Sequence, residues 1–342
     1  MSKGEKNMKK KIFVFSVCLL VIITALPVSS TTVSEPTPQS QIRGNILYVG
    51  GLGPNNYTKI QDAINDAKDG DTVFVYDDSS PYFENVIINV SISLIGEDKH
   101  TTIIDGANSS NVVNLKADDV TITGFTILHG NNSGISISSN NNNIVDNILS
   151  DNLYGIMTNY GNLSIPSPPN TGHNMITQNR IIHNGFGVFF VNEWNSTFSR
   201  NIFSGSEIGI VELAAVNNNI SFNMISENEI SVFIVDAYNT MVYRNNISLN
   251  EGGVVTVITS ADKILQNNFI GNNKSALTGQ PLLSKIRMVK MKLQQPLRRN
   301  VWNGNYWDGP RSLPYIVPGL FKLRFSVDWH PAQKPYDIPV GR

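Results

Sequence analysis

An asparagine returns every 22 residues through the middle of this 342-residue chain, at Asn179, Asn201, Asn223, Asn245 and Asn267. Asn147 belongs to the same series at a step of 32, which predicts an insertion between it and Asn179. A second series runs five residues behind, at Asn152, Asn184, Asn228, Asn250 and Asn272, with Ser206 at the remaining place. Apolar residues keep the step. Ile144, Ile176, Phe198, Ile220, Val242 and Ile264 precede the first series by three, and Leu149, Ile181, Phe203, Ile225, Ile247 and Phe269 follow it by two. A fixed period of this size marks a repeat protein. The short runs rich in Ile, Val, Phe, Ser and Thr, separated by Asn and Gly, read as strands. The pattern therefore predicts an all-β, single-stranded parallel β-helix, a solenoid of about 22 residues per coil with three short strands and three bends in each. Coils would stack at roughly 4.8 Å, the spacing of paired strands. Each would bury its inner face only against its neighbours.

The first series (Asn147, Asn179, Asn201, Asn223, Asn245 and Asn267) is expected to be a structural ladder at a bend. Asn tolerates left-handed backbone better than any residue but Gly. Stacked amides can also hydrogen-bond along the axis and satisfy buried polar groups. Gly155, Gly187, Gly209 and Gly253, with Ser231 substituting once, are expected to form a further bend ladder.

Outside the repeats the chain divides by composition. Residues 1–30 read as a signal peptide, with Lys9, Lys10 and Lys11 before the apolar run Ile12 to Leu26 and small residues Val28, Ser29 and Ser30 after it. The alternative is an uncleaved N-terminal anchor, the one membrane contact the sequence offers. The single cysteine, Cys18, lies in that run, so a mature chain would carry neither disulfide nor thiolate metal site. Residues 31–45 are a Ser-, Thr-, Pro- and Gln-rich linker. Residues 46–110 form an N-terminal cap and first coils. They include a short capping helix from Thr58 to Ala67, with Thr58 and Gln61 as a capping box and Gly70 beyond its end. Residues 111–272 are the regular coils, interrupted by a proline-bearing loop from Tyr160 to Gly172. After Asn272 the repeat is expected to stop. Residues 273–342 then form a C-terminal cap and tail, in which Trp302, Tyr306, Trp307 and Trp329 plug the far end. Nine Asn-x-Ser/Thr sequons, at Asn56, Asn89, Asn108, Asn131, Asn162, Asn195, Asn219, Asn246 and Asn273, would be able to accept glycans in an exported protein.

A formal net charge of −1 provides no global field for nucleic acid. Asp151 and His183 occupy equivalent positions in successive coils, with Glu227 further along and Gly205 between, and are weak catalytic candidates. Arg200 and Arg244 share a position two coils apart, with Phe222 between them. His100, His129, His173, His183 and His330 show no His-x-His spacing, and Met288 and Met291 are the one close Met pair, so neither a metal site nor a cofactor is expected. Trp194 and Tyr238 are 44 residues apart, hence two coils apart on one face, with Phe190 and Glu193 nearby. These four are the carbohydrate-binding candidates, since aromatic rings on an extended sheet can stack on sugars.

The stretches YTKIQDAINDAKDGDTVFV, ENVIINVSISLIGEDKHTTIIDG and ADDVTITGFTI, units such as NNNISFNMISEN, and the terminal WNGNYWDG together resemble the NosD-like group of right-handed parallel β-helix repeat proteins, within the pectin-lyase-like superfamily. The resemblance covers roughly residues 46–310. It implies a right-handed β-helix and leaves activity open, because that superfamily hosts lyases, hydrolases, epimerases, adhesins and surface proteins. The expected function is that of an exported, non-catalytic β-helix protein of the cell envelope, periplasmic or extracellular, structural or binding a cell-surface or extracellular polysaccharide. The alternatives are a polysaccharide lyase, hydrolase or epimerase, and an accessory factor for metalloenzyme maturation.

Overall fold

The computed structural model describes residues 44–158, 171–279, 298–320 and 325–339. The apolar run Ile12 to Leu26, most of the Tyr160 to Gly172 loop, and Met288 and Met291 lie outside the described residues. The chain winds as a parallel β-helix of about 11 turns. Strand register builds its core directly from the period. In the first sheet Leu94, Ile122, Ile144, Ile176, Phe198, Ile220, Val242 and Ile264 lie one over another. In the second the column is Ile104, Ile127, Leu149, Ile181, Phe203, Ile225, Ile247 and Phe269. In the third it is Val113, Ile135, Ile156, Val188, Ile210, Val232, Val254 and Ala276. All three columns are buried. Side chains alternate across a strand, so the residues flanking each column face outward.

A bend inside such a stack leaves backbone N–H groups with no strand to pair with, and burying them unpaired is costly. The asparagines remove that cost. Asn201 Oδ1 accepts the backbone N–H of Asn179 at 2.9 Å and its Nδ2 at 3.2 Å. Asn201 in turn donates its own N–H and Nδ2 to Asn223 Oδ1, at 2.9 and 3.1 Å, and its Nδ2 also reaches the Ile176 carbonyl of the coil behind at 2.8 Å. The same donor geometry links Asn147, Asn179, Asn223, Asn245 and Asn267. The second series behaves alike. At its one exception, the backbone N–H of Ser206 still donates to Asn228 Oδ1 at 3.0 Å, but the Ser206 hydroxyl is buried without a partner.

The asparagines do not themselves take the left-handed conformation expected of them. The residue before each one does: φ is 60° at Gln178, 56° at Arg200, 59° at Phe222 and 50° at Arg244. The glycine series is not a bend either. Gly155, Gly187, Gly209 and Gly253 lie in the third sheet, where coils approach closely: a Cβ on Gly187 would sit 2.4 Å from the Gly209 carbonyl oxygen. Ser231 takes the same place with its hydroxyl buried and unpartnered.

The ends are closed differently from the sequence expectation. The repeat does not stop after Asn272. Asn267 passes its hydrogen bonds to Asn305, at a step of 38, and Trp302 and Trp307 take interior places over Ile264 and Phe269. Trp307 stacks on Phe269 at 4.4 Å and on Tyr315 at 3.9 Å. Asp328 then ends the ladder, because a carboxylate accepts without needing a further rung. It takes the N–H and Nδ2 of Asn305, Trp307 Nε1, and the N–H groups of Gly304 and His330. Trp329 is exposed and Tyr306 half-buried, so neither is part of a plug. At the other end the helix is Ile60–Asp66, without the expected capping box. Its first N–H groups, on Ile60 and Gln61, donate instead to the Glu84 carboxylate at 2.9 and 3.0 Å, a negative group well placed at a helix N-terminus. Gln61 is thereby free to accept the Ile87 N–H at 2.7 Å, covering the open edge of strand Val86–Ile88.

Asn201→Ala would strip the acceptor from a buried backbone N–H, a loss of about 1–3 kcal/mol per orphaned group. We expect ~2–4 kcal/mol of destabilisation, read as a lower urea midpoint at unchanged m-value, and a smaller loss for Asn201→Ser if its hydroxyl accepts the Asn179 N–H as Ser196 Oγ accepts that of Asn174 at 2.9 Å.

Candidate functional site

Left-handed bend residues project outward, and one such column carries the catalytic candidates. It runs His129, Asp151, His183, Gly205, Glu227, Leu249, Gly271 and Asp308, all with positive φ. Asp151 and His183 are exposed on successive rungs, and neither a hydrogen bond nor an ion pair joins them. His183 folds over the next rung, where a Cβ on Gly205 would come within 2.5 Å of the imidazole. Glu227 stands beyond Gly205, and neither a hydrogen bond nor an ion pair joins it to His183.

The aromatic candidates lie on another face. Trp194, Val216, Tyr238 and Ser260 are bridge partners in four successive coils. The short strand Thr171–Gly172 pairs with Glu193–Trp194 and extends this strip by one coil. Trp194 and Tyr238 are both half-buried. The indole lies across Gly172, where a Cβ would sit 2.4 Å from the ring, and meets the exposed His173 ring edge-on at 4.7 Å. Its Nε1 has no partner.

Phe190 and Glu193 do not join this face. Both are fully buried in the solenoid, Phe190 packed edge-on against Phe198 at 5.0 Å. Adjacent strand residues point to opposite sides, so an outward Trp194 forces Glu193 inward.

Glu193 instead opens a buried polar column that pattern reading missed. A third corner ladder runs Asn142, Asn174, Ser196, Asn218, Thr240, Asp262 and Asn300, each backbone N–H donating to the side chain of the next; between Asn218 and Thr240 no side-chain acceptor is formed. Where Ser or Thr replaces Asn, the hydroxyl turns to a carboxyl. Ser196 Oγ donates to Glu193 Oε1 at 2.5 Å, and Thr240 Oγ1 to Glu212 Oε2 at 2.9 Å. Asn174 Nδ2 and Thr171 Oγ1 complete Glu193, at 2.8 and 2.6 Å, and Asn218 Nδ2 reaches Glu212 Oε1 at 3.1 Å. Asp262 occupies a ladder place itself, with Oδ1 accepting the Thr240 N–H at 2.9 Å and Oδ2 unpartnered. Asn174 and Asn218 are 44 residues apart, a trace of this ladder legible in the sequence.

Burial raises all three carboxyls: Glu193 upward, Glu212 from 4.5 to about 7, and Asp262 from 3.8 to about 8. The Ser196, Thr171 and Asn174 bonds oppose the rise at Glu193, as Thr240 and Asn218 do at Glu212. These groups hold their protons in the folded chain at pH values where the unfolded chain has lost them. Their contribution to stability is therefore full below the ordinary carboxyl values of 4.5 and 3.8 and is lost progressively as pH rises to about 7 and about 8. The melting temperature should fall between about pH 5 and pH 8. Asp262→Asn, which keeps the acceptor for Thr240, should raise it at the alkaline end, leave it unchanged at the acid end, and flatten the profile.

Among the described residues no group of three His, Cys, Asp or Glu side chains is placed to hold a metal ion. His129 Nδ1 is engaged by Asp105, His330 Nδ1 by Asn303, and His173 by Trp194, in separate coils.

The strand pairing and the interior ladders define a parallel β-helix repeat protein. Residues 169–312 match the family model described as periplasmic copper-binding protein (NosD), in line with the resemblance its repeats carry. No curated protein matches the chain. Similar solved structures include the pectate lyase Pel9A, at 12% identity and TM-score 0.47 over 77% of this chain and 80% of that one. They also include the DFA-IIIase from Arthrobacter chlorophenolicus A6, at 13% identity and TM-score 0.43 over 72% and 68%. A third is an alginate lyase from Paenibacillus, at 11% identity and TM-score 0.37 over 69% and 94%.

Proposed function

We propose that the protein is an exported β-helix of the cell envelope that binds carbohydrate on the Trp194–Tyr238 strip without transforming it. The observation that carries the reading is register: Trp194, Val216 and Tyr238 are bridged rung to rung. Two half-buried aromatic residues thus stand two coils apart, roughly 10 Å at the spacing of paired strands, with amide- and hydroxyl-rich bends between. Aromatic faces combine an apolar surface with a polar rim, which suits sugar rings. The non-catalytic part rests on two features. The carboxyls with raised pKa, Glu193, Glu212 and Asp262, are sealed inside the coil, and the exposed Asp151 and His183 are not coupled to each other. Export rests on the Lys9–Lys11 flank and the apolar run after it.

Binding to a panel of glycan oligomers, followed by Trp fluorescence, tests this. Trp194→Ala and Tyr238→Ala should each weaken binding at least about tenfold, ~1.4 kcal/mol, with the folded β-sheet signal retained at the assay temperature. Binding that ignores both substitutions contradicts the strip. Release of oligomers from a polysaccharide, lost on Asp151→Ala, would favour the lyase or hydrolase alternative. Stoichiometric copper binding would favour a metalloenzyme accessory role.

A further inference from the structure

The bend column before the first asparagine ladder carries the strongest unassigned surface chemistry. Arg200 N–H donates to the Ser221 carbonyl at 3.3 Å, Phe222 N–H to Tyr243 at 3.1 Å and Arg244 N–H to Leu265 at 3.2 Å. These bonds fix Arg200, Phe222 and Arg244 on consecutive rungs. The two guanidinium groups therefore rise from points roughly 10 Å apart along the axis. The Arg200 guanidinium lies 5.8 Å from the Phe222 ring centre, and Phe222 meets Tyr243 edge-on at 5.6 Å.

Arg244 is held more firmly. Its guanidinium lies over the rings of both Tyr243 and Tyr336, at 5.6 and 5.5 Å, and its Nε donates to Gln266 Oε1 at 3.0 Å. Tyr336 is itself anchored, its hydroxyl donating to the Gly304 carbonyl at 2.7 Å and its N–H to Asn268 Oδ1 at 2.8 Å. A guanidinium so placed presents its terminal donors with little further ordering cost. Among the described residues, no carboxylate pairs with Arg200, with Arg244, or with the exposed Arg180 on the adjoining strand. This column and the Trp194 strip flank the same short strands, such as Thr197–Ser199.

We propose that the Arg200–Phe222–Arg244 column is a charge-selective subsite for a linear acidic polysaccharide lying along the solenoid axis. Its acid groups pair with Arg200 and Arg244, and its sugar faces rest against Phe222 and Tyr243. Guanidinium forks favour acid oxygens, and the neighbouring rings favour a sugar over a bare polyanion. The inference rests on the carbohydrate-binding reading but uses the opposite edge of the sheet from Trp194.

The test is titration of the full chain with alginate oligomers, with the same oligomers after reduction of their carboxylates to alcohols, and with inorganic polyphosphate. Alginate oligomers should bind at least about tenfold tighter than the reduced ones. The preference should weaken with added salt. Arg200→Gln combined with Arg244→Gln should abolish the preference while leaving the melting temperature and the affinity for reduced oligomers unchanged, and Arg244→Lys should retain part of it. Equal affinity for charged and reduced oligomers, or a preference that survives the double substitution, overturns this inference and leaves the Trp194 reading standing. Polyphosphate bound as tightly as alginate, through the same arginines, overturns the glycan assignment. Failure of every glycan to bind overturns both.

Discussion

Side-chain amides that substitute for a missing strand at each bend hold this molecule together. A coil of three short strands must turn three times, and each turn leaves a buried N–H facing the next coil. Asn meets the need on both sides at once: its Oδ1 accepts from the rung behind, and its Nδ2 donates to the rung ahead and to a carbonyl behind. The resulting rows, from Asn147 through Asn267 to Asn305, are continuous buried hydrogen-bonded columns that tie every coil to two others. Apolar columns supply the driving force for stacking, and the amide columns keep that stacking from stranding polar groups in the core.

The same arrangement sorts residues into those the fold needs and those it leaves open. The asparagine is fixed by its hydrogen bonds, but the left-handed residue before it is not. His, Asp, Gly, Glu, Leu, Arg, Phe and Gln all occupy that place, each projecting outward at a defined height. Surface chemistry can therefore be written on these columns without disturbing the interior. The third corner shows the inward counterpart. Where Ser196 and Thr240 take the place of Asn, a hydroxyl becomes available to a carboxyl, and Glu193 and Glu212 are buried beside them. The acids shifted most by burial are thus part of the packing of the coil.

The first two ladders and their apolar partners were legible in the sequence because their step is constant and their chemistry repeats. The third ladder was not, since Asn, Ser, Thr and Asp share its places and no single residue type marks the period. The last coil was hidden by an insertion that stretches the step from Asn267 to Asn305 to 38. Ile103 pairs with Thr126, 23 residues on, so the early coils depart by one residue from the step of 22. Strand parity alone separates Glu193 from its neighbour Trp194, but only once the bend at Asn192 is known. Trp194 and Tyr238 were placed on one face by their spacing, and the spacing of Arg200 and Arg244 was visible too. What spacing could not convey was the ring cage around Arg244, because Tyr336 arrives from a part of the chain with no repeat.

Residue-level hydrogen exchange on the folded protein tests most directly whether the amide columns close the bends. The backbone N–H groups of Asn179, Asn201, Asn223 and Asn245 sit outside the regular strands, yet each donates to a buried amide oxygen. They should exchange as slowly as those of the core strands on either side. Exchange at the rate of open, solvated turns would mean that the bends are not closed in this way, and the account of how the coils are joined would fail.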